Sequence, residues 1–153
     1  MPDLYPKFDE TLLDSAESNT AEYKRSYYFD FDKMDFACTR SGKVRESTGT
    51  EAWEQWCMKA IMTARYSCLA YSTDYGSEVL DSINTTDRKE AESNLRRTIN
   101  ETLLVNPLTE RVDNITFSWL DADSLEVSCK VIGVDGQVGH INVKLGGENA
   151  WRD

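Results

Sequence analysis

Residues 115–145 read ITFSWLDADSLEVSCKVIGVDGQVGHINVKL. Ile115, Phe117 and Trp119 alternate with Thr116 and Ser118. After Asp121-Ala122-Asp123-Ser124, Leu125, Val127, Cys129 and Val131 alternate with Glu126, Ser128 and Lys130; after Asp135-Gly136, Ile141, Val143 and Leu145 close the series. Side chains on a strand point to opposite faces with a period of two, so each run is a strand with one apolar face. The short polar breaks between them are hairpin turns. The stretch therefore predicts an antiparallel three-stranded meander, and its single apolar face requires a covering layer.

The covering layer lies upstream. Trp53, Trp56, Cys57, Ala60, Ile61 and Ala64 form one stripe at helical spacing, with Glu54, Gln55 and Lys59 elsewhere on the wheel. Thr48 followed three residues later by Glu51 is a capping-box start, and both tryptophans are expected in the core. Val79, Leu80 and Ile83 make a short apolar turn after the loop Thr73-Asp74-Tyr75-Gly76-Ser77-Glu78, where Gly76 is the hinge point. A longer helix is predicted over Thr86 to Leu104, capped by Thr86, with Ala91, Leu95, Thr98, Ile99 and Leu103 facing inward. Asn106-Pro107 ends it, because the residue before proline is pushed out of the α region.

Towards the N-terminus, Tyr27, Phe29 and Phe31 and then Met34, Phe36 and Cys38 alternate with polar or small residues. Arg40-Ser41-Gly42-Lys43 is a turn, and Val44 to Glu46 returns as a partner strand. Residues 1–26 carry Pro2, Pro6 and acidic residues from Asp3 to Glu22 with no sustained period, and are expected to be an extended arm whose Leu4, Tyr5, Phe8, Leu12 and Leu13 serve as docking anchors. The predicted organisation is an arm over 1–26, a single α+β domain over 27–146 and a tail over 147–153. The α+β domain consists of a β-hairpin and two main helices packed on the C-terminal antiparallel three-stranded meander.

The chain has 153 residues, 17 Lys plus Arg against 27 Asp plus Glu, and a net charge of −10. That length suits one domain, and 40% apolar residues with 4 Trp, 7 Tyr and 5 Phe suffice for a core. The acidic balance argues against nucleic acid and anionic membrane as partners, since phosphate binding needs clustered cations. There is no bilayer-length apolar run and no signal-like start at Met1-Pro2-Asp3-Leu4, so a cytosolic site of synthesis is expected. Cys38, Cys57, Cys68 and Cys129 show no C-x-x-C spacing and read as free thiols.

The search for chemistry is thin. No Gly-rich phosphate loop, H-E-x-x-H or G-x-S-x-G occurs, and a lone His140 builds neither a multi-His metal site nor a nearby nucleophile pair. Asp30, Asp32 and Asp35 lack the glycine and distal glutamate of a calcium loop and read as the polar face of a strand. Asp74 and Glu78 flank Tyr75-Gly76, and as a carboxylate pair they are the candidates for a glycosidase-type site. No catalytic residue, metal or cofactor is assigned.

Several strings together carry a resemblance: PDLYPKFD from Pro2, YYFDF from Tyr27, GTEAWEQWCMKAIMTARY from Gly49, AYSTDYGSEVL from Ala70 and NPLTERV from Asn106. From about Pro2 to Val131 the chain resembles small prophage contractile-tail baseplate proteins of Gram-positive bacteria, similar in turn to baseplate wedge and sheath-initiator proteins of contractile phages. The resemblance implies a non-enzymatic structural role in the virion tail baseplate, assembled in the host bacterial cytoplasm. Implied partners are the tail sheath protein, baseplate wedge proteins and tail hub or tube proteins. It also implies a sheet completed by strands from sheath subunits, with Ile115 to Trp119, Leu125 to Val131 and Ile141 to Leu145 as the candidate docking strands and Ile141, Val143 and Leu145 as candidate partner-binding residues. Where related initiators carry Glu-Pro-Arg after the long helix, this chain has Asn106-Pro107-Leu108, keeping the proline and losing both charges. That leaves the ionic part of a wedge contact to Glu110 and Arg111, or the segment to a plain turn. Leu4, Tyr5 and Phe8 complete the expected partner-binding set.

Two other functions compete. A carboxylate-dependent peptidoglycan hydrolase predicts Asp74 or Glu78 in an open cleft. An acidic mimic of DNA, suggested by the net charge, ranks last because Lys and Arg are interleaved through most segments.

Overall fold

The computed structural model describes residues 23–146. Three helices, α1 (Gly49–Met62), α2 (Val79–Ile83) and α3 (Arg88–Leu104), cover one face of a sheet of β5 (Thr109–Trp119), β6 (Ser124–Gly133) and β7 (Val138–Gly146) in the order β5-β6-β7. All neighbours are antiparallel, so the α+β architecture and the meander expected from residues 115–145 are both present. Period two sets the layers. Leu125, Val127, Cys129 and Val131 on β6 are buried beneath the helices together with Ile141, Val143 and Leu145 on β7, while Thr116, Ser118, His140, Asn142 and Lys144 are exposed.

The helical faces complete the core. Trp53, Cys57, Ala60 and Ile61 on α1, Val79 and Ile83 on α2, and Ala91, Leu95, Ile99 and Leu103 on α3 are all buried. Each large aliphatic among them contributes about 1.5–3 kcal/mol by leaving water. Burial pushes the Cys57 thiol well above the ordinary range and the Cys129 thiol up to about 11, so both behave as small apolar groups. All four cysteines are free.

Several local expectations are corrected. Ala64 lies beyond the end of α1 and is exposed, while Gln55, assigned to the outer wheel, is buried. Trp56 is half-buried rather than in the core. Thr48 is the N-cap residue of α1 but makes no side-chain cap bond, and the Glu51 carboxylate pairs with Arg45 at 2.6 Å instead of reaching back to the Thr48 N–H. A guanidinium is a stronger partner for a carboxylate than a backbone amide. Helix α3 starts at Arg88, not Thr86, and Asp87 caps it by accepting from the Lys89 N–H at 3.1 Å. Aspartate caps as well as threonine and adds favourable charge at the positive helix end. Strand β5 begins six residues before Ile115, at Thr109, and carries a bulge where Asn114 takes φ +52°.

The N-terminal hairpin is more divided than its alternation predicts. Pairing runs β1 (Ser26–Tyr27) with β4 (Glu46–Ser47) and β2 (Phe29–Asp30) with β3 (Asp35–Phe36); the expected turn at Arg40–Lys43 is closed by a Cys38–Val44 bridge. An additional turn at Phe31–Met34 splits what reads as one strand. The Asp30 carboxylate causes it by accepting the N–H groups of Asp32 and Lys33 at 3.0 and 3.2 Å, with Met34 at φ +54°. The Asp30 and Asp32 pattern is thus a turn device as well as a polar face.

Candidate interaction surfaces

Strand β7 is an outer strand of the sheet, and the register defines which backbone groups it presents. The Gly133 N–H donates to the Gln137 carbonyl, and the pairs Val131–Gly139, Cys129–Ile141, Val127–Val143 and Leu125–Leu145 follow in step. Backbone groups of alternate residues in an antiparallel strand point to opposite sides, so those of His140, Asn142 and Lys144 point away from β6. The His140 N–H confirms the direction by donating to Glu54 Oε1 on α1 at 3.0 Å. Among the described residues no strand pairs with this side of β7. Here Ile141, Val143 and Leu145 send their side chains into the core, so β7 offers a partner its backbone and its polar side chains.

A groove of about 480 Å³ runs beside that edge. Asn142, Val143 and Lys144 form one wall, Tyr28 to Asp32 and Met34 of the N-terminal hairpin the other, and Gln55, Met58 and Met62 of α1 the floor. Gln55 fixes the far wall, because its Oε1 accepts the Phe29 N–H at 3.0 Å. Phe29 stacks edge-on against Phe31 and Phe36 at 5.1 and 5.3 Å, which gives that wall an aromatic patch beside the carboxylates of Asp30 and Asp32. Unbranched methionines adapt to varied neighbours, so this floor suits an inserted segment.

The opposite edge is defended. On β5 the Asn114 bulge breaks the register, and Arg96 of α3 donates to the Ile115 carbonyl at 3.0 Å. Arg96 and Arg88 also lie over the rings of Phe117 and Trp119, whose indole N–H reaches Glu92 at 2.9 Å. Bulges and charged side chains at an edge are the devices by which sheets resist strand addition.

A second groove, of about 430 Å³, lies between residues 23–26, α1 and the segment after α3. Asn106, Pro107 and Leu108 line it with Trp53, Trp56 and Val105. Asn106 is nearly buried and holds the corner by accepting the Leu108 N–H at 3.0 Å, while Pro107 is exposed. Tyr23 packs on Trp53 at 5.7 Å and donates to Asp135 at 2.8 Å; burial and that carboxylate push its pKa up to about 12. Burial lowers the Lys59 pKa at the same groove.

The structure divides the remaining sequence-assigned residues. Glu110 and Arg111 lie on β5 outside the second groove, exposed, with Arg111 paired to Asp113 at 3.0 Å. Leu4, Tyr5 and Phe8 lie outside the described residues. Asp74 and Glu78 are exposed and line neither groove, while Tyr75 is half-buried against Trp56 and Tyr71 at 5.7 and 4.8 Å. Gly76 anchors that loop: it has φ +99°, and a Cβ there would meet the Thr63 carbonyl at 2.9 Å. Sequence reasoning missed Glu54, Gln55 and Met58. Their only sequence signal was a polar or unremarkable place on the α1 wheel. Among the described residues no cluster of potential metal ligands occurs and no helix is long and apolar enough to cross a membrane.

The chain thus presents a helix-covered three-stranded sheet with one guarded edge and, among the described residues, one open edge. A family model for contractile injection system sheath initiators matches residues 25–136, and the chain belongs to that family. It is a structural, sheath-associated component of a contractile injection system. No curated protein matches it.

Proposed function

We propose that the chain is a baseplate subunit that joins wedge and hub or tube proteins to the first sheath ring, and that it templates the sheath by accepting a sheath strand along β7. The single observation behind this reading is the outward-facing backbone of Asn142 and Lys144 beside a groove floored by Met58 and Met62. Backbone hydrogen bonds would supply affinity and the groove would fix register. The wedge contact falls to Asn106, Pro107 and Leu108, with Leu4, Tyr5 and Phe8 as further anchors. The working location is the tail baseplate of a particle assembled in the host cytoplasm. No observation favours the carboxylate-dependent hydrolase.

Asn142→Pro tests strand addition. Proline removes an N–H that points away from β6 and sets a ring where an incoming strand would lie, so the internal ladder is spared. The expected outcome is a folded protein with a near-normal melting temperature and particles that carry baseplates and tubes but no sheath by electron cryo-microscopy. Fully sheathed particles containing a folded Asn142→Pro protein would refute templating at β7.

A further inference from the structure

One side chain divides the outer side of β7 into a closed half and an open half. Glu54 Oε1 accepts the outward N–H of His140 at 3.0 Å, while among the described residues no strand pairs with Asn142 or Lys144 on that side. Gly139 makes the approach of Glu54 possible. A Cβ there would meet Glu54 Cγ at 3.0 Å and Glu54 Oε1 at 3.2 Å, so the carboxylate lies against the strand where a larger residue would push it away. One turn earlier on α1, Thr50 Oγ1 lies 3.5 Å from Gln137 Oε1, which seats the start of the helix over the start of β7. Farther along α1, Met58 and Met62 floor the groove, whose β7 wall is Asn142, Val143 and Lys144 and does not include His140. The groove and the unpaired backbone therefore begin together, just past Glu54.

The same geometry defines what fits. Residues directly opposite on neighbouring strands send their side chains to the same face. Val143 is buried on the helix side, and Asn142 and Lys144 are exposed on the other face. A strand added here sets one side chain opposite Val143, on the side of Met58 and Met62, between two that share the polar face of Asn142 and Lys144. The thioether floor suits a large apolar residue at that central position. A period-two strand can slip by two residues without exchanging its faces, so alternation alone does not fix where it stops. At His140 a slipped strand would bring its carbonyl oxygen to an N–H already filled by a carboxylate oxygen, and two acceptors cannot share that site without repulsion.

We infer that Glu54 is a register stop, which limits the β7 template to Asn142–Lys144 and admits a short sheath strand carrying a large apolar side chain between two polar ones. The inference rests on the reading that β7 accepts a sheath strand, and adds where that strand ends and what chemistry it carries.

Electron cryo-microscopy of particles carrying the unmodified chain, Glu54→Ala or Glu54→Gln tests it. In the unmodified particle the sheath strand should pair with Asn142 and Lys144, place an apolar side chain opposite Val143 and stop short of His140. Glu54→Ala frees the His140 N–H, and the strand should shift or extend to pair with it. Glu54→Gln keeps a carbonyl acceptor in place and should hold the unmodified register. Amide exchange of the isolated proteins supplies a readout that needs no sheath: His140 should exchange roughly tenfold or more faster in Glu54→Ala, at a near-normal melting temperature. A sheath strand paired with His140 in the unmodified particle, one register in all three particles, or unchanged His140 exchange in Glu54→Ala would overturn the stop and leave templating at β7 standing. Complete sheaths with no strand added to β7 would overturn templating itself, and the stop with it.

Discussion

Trp53 and Trp56 sit three residues apart on one helix, yet their side chains have different fates. Trp53 is 2% exposed, and its indole N–H donates to the buried Thr109 hydroxyl at 3.0 Å. Trp53→Ala therefore removes a packed ring and strands a buried hydroxyl, for an expected loss of about 3–5 kcal/mol. Trp56 is half-buried beside the second groove and touches Tyr75 at 5.7 Å. With roughly half its area to lose, Trp56→Ala should cost about 1–2 kcal/mol. Parallel chemical denaturation of the two variants checks the difference, and equal losses would show that Trp56 is as deeply packed as Trp53. The sequence places both rings on the same stripe, since spacing locates a helix face. Spacing does not show where that face passes from the sheet to an open groove. Gln55 shows the reverse failure: a polar residue off the stripe reads as exposed, whereas its amide is buried because a hairpin backbone needs an acceptor there.

Among the elements, the long regular ones were legible and the short ones were not. The three sheet strands and the inner face of α3 follow directly from period-two and helical spacing, because burial against a partner layer enforces those periods over many residues. The hairpin over residues 26–47 has two-residue ladders, too short for alternation to dominate, and one carboxylate at Asp30 redirects it. Its ties to α1 include the Gln55–Phe29 hydrogen bond, the Arg45–Glu51 ion pair and Lys59 Nζ donating to the Tyr27 carbonyl at 3.4 Å. Gln55→Leu keeps the volume but leaves the Phe29 N–H without its acceptor, so the hairpin should loosen while the sheet and helices hold. Limited proteolysis should then cut within residues 28–36 faster than in the unmodified protein, with global stability lowered by about 1–3 kcal/mol. An unchanged cleavage rate would mean that the remaining contacts to α1 and the aromatic packing of Phe29 hold the hairpin without this bond.

For the whole molecule, the proposed templating role turns on an asymmetry between two sheet edges that no single residue reveals. The sequence shows three strands, and hence two outer strands, but not that Arg96 and an Asn114 bulge close one edge while, at the other, Glu54 of α1 accepts the His140 N–H and leaves Asn142 and Lys144 without a backbone partner among the described residues. Those contacts join residues far apart in the chain, so no local pattern encodes them. Amide hydrogen exchange reads the asymmetry directly. In the isolated protein Ile141, Val143 and Leu145 should exchange slowly, because their N–H groups point into the β6 ladder, whereas Asn142 and Lys144 should exchange fast in the same strand. His140 should fall between them, shielded by the Glu54 carboxylate. Adding sheath subunits should slow Asn142 and Lys144 and leave Ile115 and Phe117 on β5 unchanged. Slow exchange at all of residues 140–145 before sheath is added would mean that the β7 edge is already covered. Protection appearing on β5 alone would move the template to the other edge of the sheet.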